Sequence, residues 1–469
     1  MQNIQNTPLV SKSSIKSPAT WIPTLYFMEA LPYVVVNTMS VIMYKELELT
    51  NTDIALYTSL MYLPWVIKPV WSPIVDSIAT EKKWVLWMQL LCALAFTGIA
   101  FTITSGFWLQ ASIAFLWIIA FCSSTHDIAA DGYYIVALNA NQQAFYVGIR
   151  STCYRIGMIF GQGLLVMFAG WLQNGAPLSS GEHARKLIEN PSVNLAWAIT
   201  FFVMAIIALA LMLYHSKAMP KVEKNQSTDS SDTSLIVTQQ PYKNKNSNVV
   251  LKTLKDFASS FIVFFSKKNI VAALLFMLLF RLPEALLVKI ASPFMLDSME
   301  KGGLALSTEF VGFIYGTVGV VGLLAGGIIG GALVAKQGLA KWLWPMVIAI
   351  SLPDAAYIYL SATQTSNSIL IATLVAIEQF GYGFGFTAYM MYLIYFAKGE
   401  KSTSVYALCT AFMALGMMLP GMIAGKISDL LGYQYFFILV TILCSVTFIV
   451  SAFLKIDKNF GKKITKESN

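Results

Sequence analysis

The sequence predicts an all-α polytopic membrane protein, with twelve transmembrane helices in two pseudo-symmetric six-helix bundles. Three observations carry that reading. The 469-residue chain is 57% hydrophobic and only 12% charged, with a mean hydropathy of +0.64, which is too apolar for a soluble multidomain protein and too long for a single anchor. Apolar runs of about 20 residues, the length that crosses a bilayer as a helix, recur at 21–43, 54–75, 84–105, 107–136, 145–172, 193–214, 270–296, 307–335, 341–361, 368–397, 402–427 and 434–454. The two halves also repeat each other. Arg281-Leu282-Pro283-Glu284 echoes Ala30-Leu31-Pro32, Thr308-Glu309 opens span eight as Thr52-Asp53 opens span two, and one constant shift aligns Gly157-Met158 with Gly416-Met417 and Tyr133 with Tyr392.

Charge placement orients the chain. With the N-terminus inside, the outside loops hold only Lys45, Arg185, Lys186, Lys301 and Lys426 of the 32 Lys and Arg, and most of the others fall in inside segments. Basic residues accumulate on the cytoplasmic side, so both termini are expected there, in a multi-pass protein of the inner membrane. That distribution accounts for the net charge of +8 without a nucleic-acid partner. The segments are a cytoplasmic tail 1–20, a bundle 21–214, a cytoplasmic linker 215–268, a second bundle 269–454 and a basic tail 455–469. Residues 1–20 lack an apolar core, so no cleavable signal peptide is expected and the first span directs insertion. Cys92, Cys122, Cys153, Cys409 and Cys444 all fall singly inside spans and read as small core residues rather than disulfides or metal ligands. No soluble enzyme domain and no GxxxxGK[ST] loop is visible, so neither an enzyme, a cofactor, a metal nor ATP hydrolysis is expected. The expected partners are a small-molecule solute, protons and the bilayer, with the chain acting as a monomer.

Taken in order, span one carries Glu29 beside Pro32, an acid placed well inside the bilayer and expected to face a cavity. Thr50-Asn51-Thr52-Asp53 is a helix-start cluster before span two. At the end of span two the stretch Met61 to Asp76 puts Lys68 and three prolines, Pro64, Pro69 and Pro73, into an apolar run. A lysine at that depth costs roughly 2.5–3.5 kcal/mol unless it meets protein, water or a counter-charge. Lys68 is therefore expected to pair with Asp76 or another acid, the alternative being a side chain that snorkels to the interface. The prolines should bend the helix.

Span four holds the densest polar group, Ser123-Ser124-Thr125-His126-Asp127-Ile128-Ala129-Ala130-Asp131. Asp127 and Asp131 share one helix face, and His126 points about 100° away from Asp127. The acid stripe suggests cation, proton or amine handling, or neutralisation of Arg155 in span five; His126 suits proton exchange or a hydrogen-bonded core. In span five, Gly157 and Gly161 permit close helix approach. The linker should be flexible at its centre, with part of 249–266 forming an interfacial helix. The second half adds Arg281, Glu284 and Lys289 in span seven, Asp354 in span nine, expected to be structural, and Glu378 in span ten. Aromatics including Tyr382, Phe386, Tyr389 and Tyr392 surround Glu378, interleaved with glycines that could wall a cavity.

Leu63-Pro64 through Lys68, Trp71, Pro73 and Asp76, together with the Asp127 segment and Tyr154-Arg155-Ile156-Gly157-Met158, resemble the major facilitator superfamily. Within it the chain resembles the AmpG-type muropeptide permeases and their acetyl-CoA transporter relatives; a siderophore-permease group has similar motifs. Asp76 matches the acid of the superfamily's loop between spans two and three, but Ser77 stands where an Arg usually follows. The two spans that AmpG-type permeases often add beyond twelve are not seen. The resemblance implies proton-coupled import of a cell-wall sugar-peptide by alternating access. Glu29, Asp127, Glu378 and His126 are then the candidate proton carriers, Lys68, Arg155, Arg281 and Tyr389 the candidate substrate contacts, and Asp76, Asp131, Pro64 and Pro73 gating or structural residues. A siderophore or other carboxylate-rich solute suits the same cations. A receptor or scaffold without transport is the reading of another class, and would pair its charges within each half, whereas transport predicts that charges at similar depth converge on one central cavity, Glu29, Asp127 and Arg155 from the first half and Arg281 and Glu378 from the second.

Overall fold

The computed structural model describes residues 17–174, 192–220, 258–399 and 401–462. The linker centre, residues 249–257, Arg185, Lys186 and the tail beyond 462 fall outside them. Eleven helices in the described residues are long and apolar enough to cross a membrane. They are α1 (Pro18–Glu46), α4 (Glu81–Thr102), α5 (Trp108–Ala137), α6 (Asn141–Gln173), α7 (Val193–Ala218), α8 (Ile270–Leu296), α9 (Thr308–Gln337), α10 (Leu339–Thr363), α11 (Ser368–Ala397), α12 (Ser402–Leu431) and α13 (Tyr433–Ala452). Residues 258–265 form a short helix ahead of α8.

The second span is not the single bent helix the sequence suggested. It is two helices, α2 (Asn51–Leu60) and α3 (Leu63–Ile78), broken at Met61-Tyr62. Pro64 explains the break. Its ring cannot follow an uninterrupted helix without displacing the carbonyl four residues earlier, but at the first turn of a new helix its missing N–H costs nothing. Pro73 and Asp76 lie on α3, and their side chains are outside the described residues.

Helix starts follow local chemistry. Thr50 accepts a hydrogen bond from the Asp53 amide at 3.1 Å to cap α2, Ser307 accepts one from Phe310 at 3.2 Å to cap α9, and Asn139 with Gln142 forms a capping box before α6. Among the described residues three helices widen into π-helical turns, at Val35–Met39 in α1, Ile159–Leu165 in α6 and Gly312–Gly319 in α9. All five cysteines are unpaired.

In the first half α4 packs on α5 and α7, and α1 on α6; in the second, α11 packs on α9 and α10. Gly157 and Gly161 turn to α1: a Cβ on Gly157 would stand 2.6 Å from the Phe27 carbonyl oxygen. The halves meet along α2–α12 and α6–α9, and these contacts gather at the end of the bundle opposite the linker. There a Cβ on Gly316 would lie 2.1 Å from Gly163 Cα, and one on Gly425 would lie 1.8 Å from the Asn51 carbonyl oxygen. Only hydrogen at these positions lets the backbones touch. The same end carries a polar clasp between halves. Lys45 bonds Asp297 at 2.6 Å with both side chains 10% exposed, Asn51 donates to the Tyr433 hydroxyl at 3.0 Å, and Tyr433 donates to Asp297. Thr52 donates to Asp429 at 2.6 Å. Toward the middle, the buried Lys289 of α8 crosses to Thr58 of α2 at 3.0 Å and stands 5.2 Å from the centre of the Tyr62 ring.

Candidate functional site

A polar cavity of about 380 Å³ opens among α1, α3, α5 and α6. Glu29 enters it from α1, Asp127 from α5, and Arg150 and Arg155 from α6, while Tyr26, Tyr33, Trp65 and Tyr154 supply aromatic walls. Ser151, another lining residue, is exposed near the linker end of α6, so the cavity is reached from that end while the opposite end is clasped shut.

Its charges are largely paired. Lys68 forms an ion pair with Asp127, the two side chains 30% and 27% exposed, and this answers the question the lysine posed. The partner is neither the interface nor the acid on its own helix but one that only tertiary packing brings near. Asp131, four residues on, pairs with Arg150 at 2.9 Å and accepts from the Tyr26 hydroxyl at 3.1 Å. The Arg150 guanidinium lies 4.7 Å from the Tyr26 ring centre and 5.0 Å from that of Tyr134. The sequence had offered Arg155 as the neutralising cation; Arg150 takes that place, and nothing in the sequence distinguished it from other basic residues at the linker end. One helix turn and a half deeper, Arg155 has only the Met158 sulfur of its own helix, at 3.7 Å, and no ion pair among the described residues. Glu29 completes a triad with Asp127 and Asp131, the three offering carboxylate oxygens within 4.8 Å of one another, and its Oε2 is buried with no hydrogen-bond partner.

His126 points away from this cavity, as the helical spacing indicated. Gln89 of α4 bonds its Nε2 at 3.0 Å and His215 of α7 at 3.0 Å, and Thr24 bonds His215 Nε2 at 2.9 Å. The chain of side chains ties α5, α4, α7 and α1 together.

The second-half residues are distributed differently from the expectation of one shared cavity. Arg281 of α8 is 9% exposed, bonds the Tyr382 hydroxyl and lies 4.8 Å from the Phe386 ring centre. Tyr389, expected as a substrate contact, is fully buried and donates to the Met277 carbonyl oxygen at 2.7 Å. Glu378 is 3% exposed and belongs to a second acid triad with Glu284 and Asp354, again with carboxylate oxygens within 4.8 Å. Gln379 donates to Glu378 at 3.0 Å, Tyr357 donates to it at 3.4 Å, and the Cys444 thiol lies 3.5 Å from Asp354. This triad is packed inside the second bundle, where none of its members lines the polar cavity.

Known proteins share this architecture. Residues 24–419 match the family model of the Major Facilitator Superfamily. The Rickettsia conorii protein named AmpG 4 is 26% identical over 453 residues, covering 93% of this chain and 96% of its own. The anhydromuropeptide permease of Escherichia coli K12 is 23% identical over 388 residues, covering 81% and 68%. Among solved structures, a D-xylose–proton symporter superposes with a TM-score of 0.68 at 10% identity over 95% of this chain and 99% of its own. The nucleoside transporter NupG superposes with 0.61 at 14% identity over 93% and 99%. These likenesses carry the fold, and the family match carries the class: the chain belongs to the Major Facilitator Superfamily and is a multi-pass membrane transporter, not an enzyme.

Proposed function

We propose that the chain imports a cell-wall-derived sugar-peptide across the inner membrane together with protons, by alternating access between its two halves. The observation that carries the reading is Arg155: a guanidinium in an aromatic-walled cavity whose other lining cation, Arg150, already has an acid partner. A planar fork left without a carboxylate suits the carboxylate of a peptide. Aromatic faces such as Tyr33, Trp65 and Tyr154 give a sugar ring a flat apolar surface, and Glu29, with an unpartnered buried oxygen, can take a proton or a solute donor. The name of the Escherichia coli relative points the same way. A siderophore or other carboxylate-rich solute is less well served, because Arg155 is the only cavity-lining cation without an ion pair among the described residues.

The Lys and Arg distribution puts the linker end in the cytoplasm, which makes the described arrangement inward-facing. Import then requires the clasp around Lys45, Asn51, Asp297 and Tyr433 to open on the other side. Uptake of a labelled anhydromuropeptide into proteoliposomes, with and without an inward proton gradient, tests the proposal. Gradient-dependent accumulation is expected. Arg155→Ala should raise KM about tenfold or more, the size of one lost charge-assisted hydrogen bond, with a smaller loss for Arg155→Lys. Uptake of the parent protein that ignores the gradient would remove the proton from the scheme, and an unchanged KM in Arg155→Ala would remove the anion contact.

A further inference from the structure

The buried triad of the second bundle has no role in solute binding as described, and its geometry is that of a ligand set. Glu284 comes from α8, Asp354 from α10 and Glu378 from α11, each no more than 6% exposed. Each offers a carboxylate oxygen within 4.8 Å of the other two. Hard cations take oxygen ligands at about 2.3–2.6 Å, so oxygens on opposite sides of one ion stand about 5 Å apart; all three can touch the same ion. Asp354 and Glu378 have hydrogen-bond partners, but Glu284, over nine-tenths buried, has none among the described residues, and its Oε2 is orphaned. A buried carboxylate oxygen left unpaired is costly unless something positive meets it.

The first triad meets that demand from within, through Lys68 and Arg150. The second has a weaker answer: Arg281, three residues before Glu284, attracts it, but among the described residues no ammonium or guanidinium comes within ion-pair distance of the triad, Arg281 being bonded to Tyr382 and stacked on the Phe386 ring and Lys289 bonded to Thr58. Three carboxyl groups gathered inside a bilayer-spanning bundle repel one another when ionised, and a cation at their centre is what would let all three carry their charge together.

We infer that Glu284, Asp354 and Glu378 form a binding site for one small hard metal cation, separate from the solute cavity and tying α8, α10 and α11 together. Sodium and a divalent ion such as calcium share this oxygen chemistry, and the test separates them. Purified protein, stripped with chelator and held in choline chloride, is titrated with NaCl, KCl, CaCl2 or MgCl2 at constant ionic strength while Tm is followed. Binding of radioactive sodium and calcium is measured in parallel. A saturable rise in Tm with sodium or calcium, matched by binding of that ion at one per chain, is expected. Glu284→Gln and Asp354→Asn should each weaken it at least tenfold, and the surface variant Asp457→Asn should not. If those variants do not fold, competition among the four cations for the parent protein still decides. No saturable binding of any of the four, or affinity unchanged in both folded variants, overturns the inference. The readout is cation binding, so it stands or falls apart from the identity of the transported solute.

Discussion

The two acid triads make a controlled comparison inside one chain. Each gathers three carboxyl groups within 4.8 Å, one in each half. Around Glu29, Asp127 and Asp131 the neighbouring helices send in Lys68 and Arg150, and Glu29 and Asp127 line the polar cavity. Around Glu284, Asp354 and Glu378 the neighbours send tyrosine, glutamine and cysteine, and the group is sealed. Acids in a membrane helix therefore do not have one fate. What matters is whether an adjacent helix supplies a cation of suitable reach, and whether the site faces the path or the packed interior.

Breaking the internal pairing should have the largest effect. Lys68→Met keeps the apolar length but strands Asp127; allowing for the pair's partial exposure this costs about 1–2 kcal/mol, and because the pair borders the cavity, uptake is expected to fall about tenfold at matched expression. Adding Asp127→Asn to that variant should restore much of the thermal stability. Parent-level uptake by Lys68→Met would dissolve the contrast, leaving the lysine a passive residue. The next comparison sets one acid from each triad side by side in chelated, sodium-free buffer. Asp127→Asn leaves Lys68 unmatched and should lower Tm by about 2–4 °C, whereas Glu378→Gln removes one of three repelling groups, keeps an oxygen for Gln379 and Tyr357, and should leave Tm unchanged or raised. Equal losses in both variants would mean that the second triad is internally compensated after all. The smallest effect belongs to Arg150→Gln. Its partner Asp131 is 42% exposed, so water replaces much of the lost pair, and Tm should move by no more than about 2 °C.

How much of this was legible beforehand varies by residue. Lys68 announced itself, because a lysine inside an apolar run must have a partner, but its own helix offered Asp76 while the fold supplied Asp127 from farther along the chain. The shared face of Asp127 and Asp131, and the turn of His126 away from it, follow from helix geometry alone. Arg150 was not legible, since it sits among other basic residues at the linker end and only the approach of α6 to α5 and α1 selects it. Glu378 was placed in a shared central cavity on depth along its helix; depth is a one-dimensional coordinate, and which way α11 faces depends on its packing against α9 and α10. Tyr389 was misread for the same reason, its hydroxyl being consumed by the Met277 carbonyl oxygen.

By itself the sequence determined the all-helical class, eleven of the twelve expected spans and the charges held within them, because the cost of exposing backbone and charge to hydrocarbon is set by composition over about 20 residues and needs no knowledge of neighbours. It also marked Pro64 as a disturbance and Gly157 as a contact. Only the tertiary structure decided that α2 and α3 are separate helices, that Gly163 meets Gly316 and Gly425 meets Asn51 to clasp one end, and that one acid triad is paired and wet while the other is unpaired and sealed. The physical reason is that a charge's environment is fixed by what lies within a few ångströms of it, and in a helical bundle those neighbours come from segments tens to hundreds of residues away.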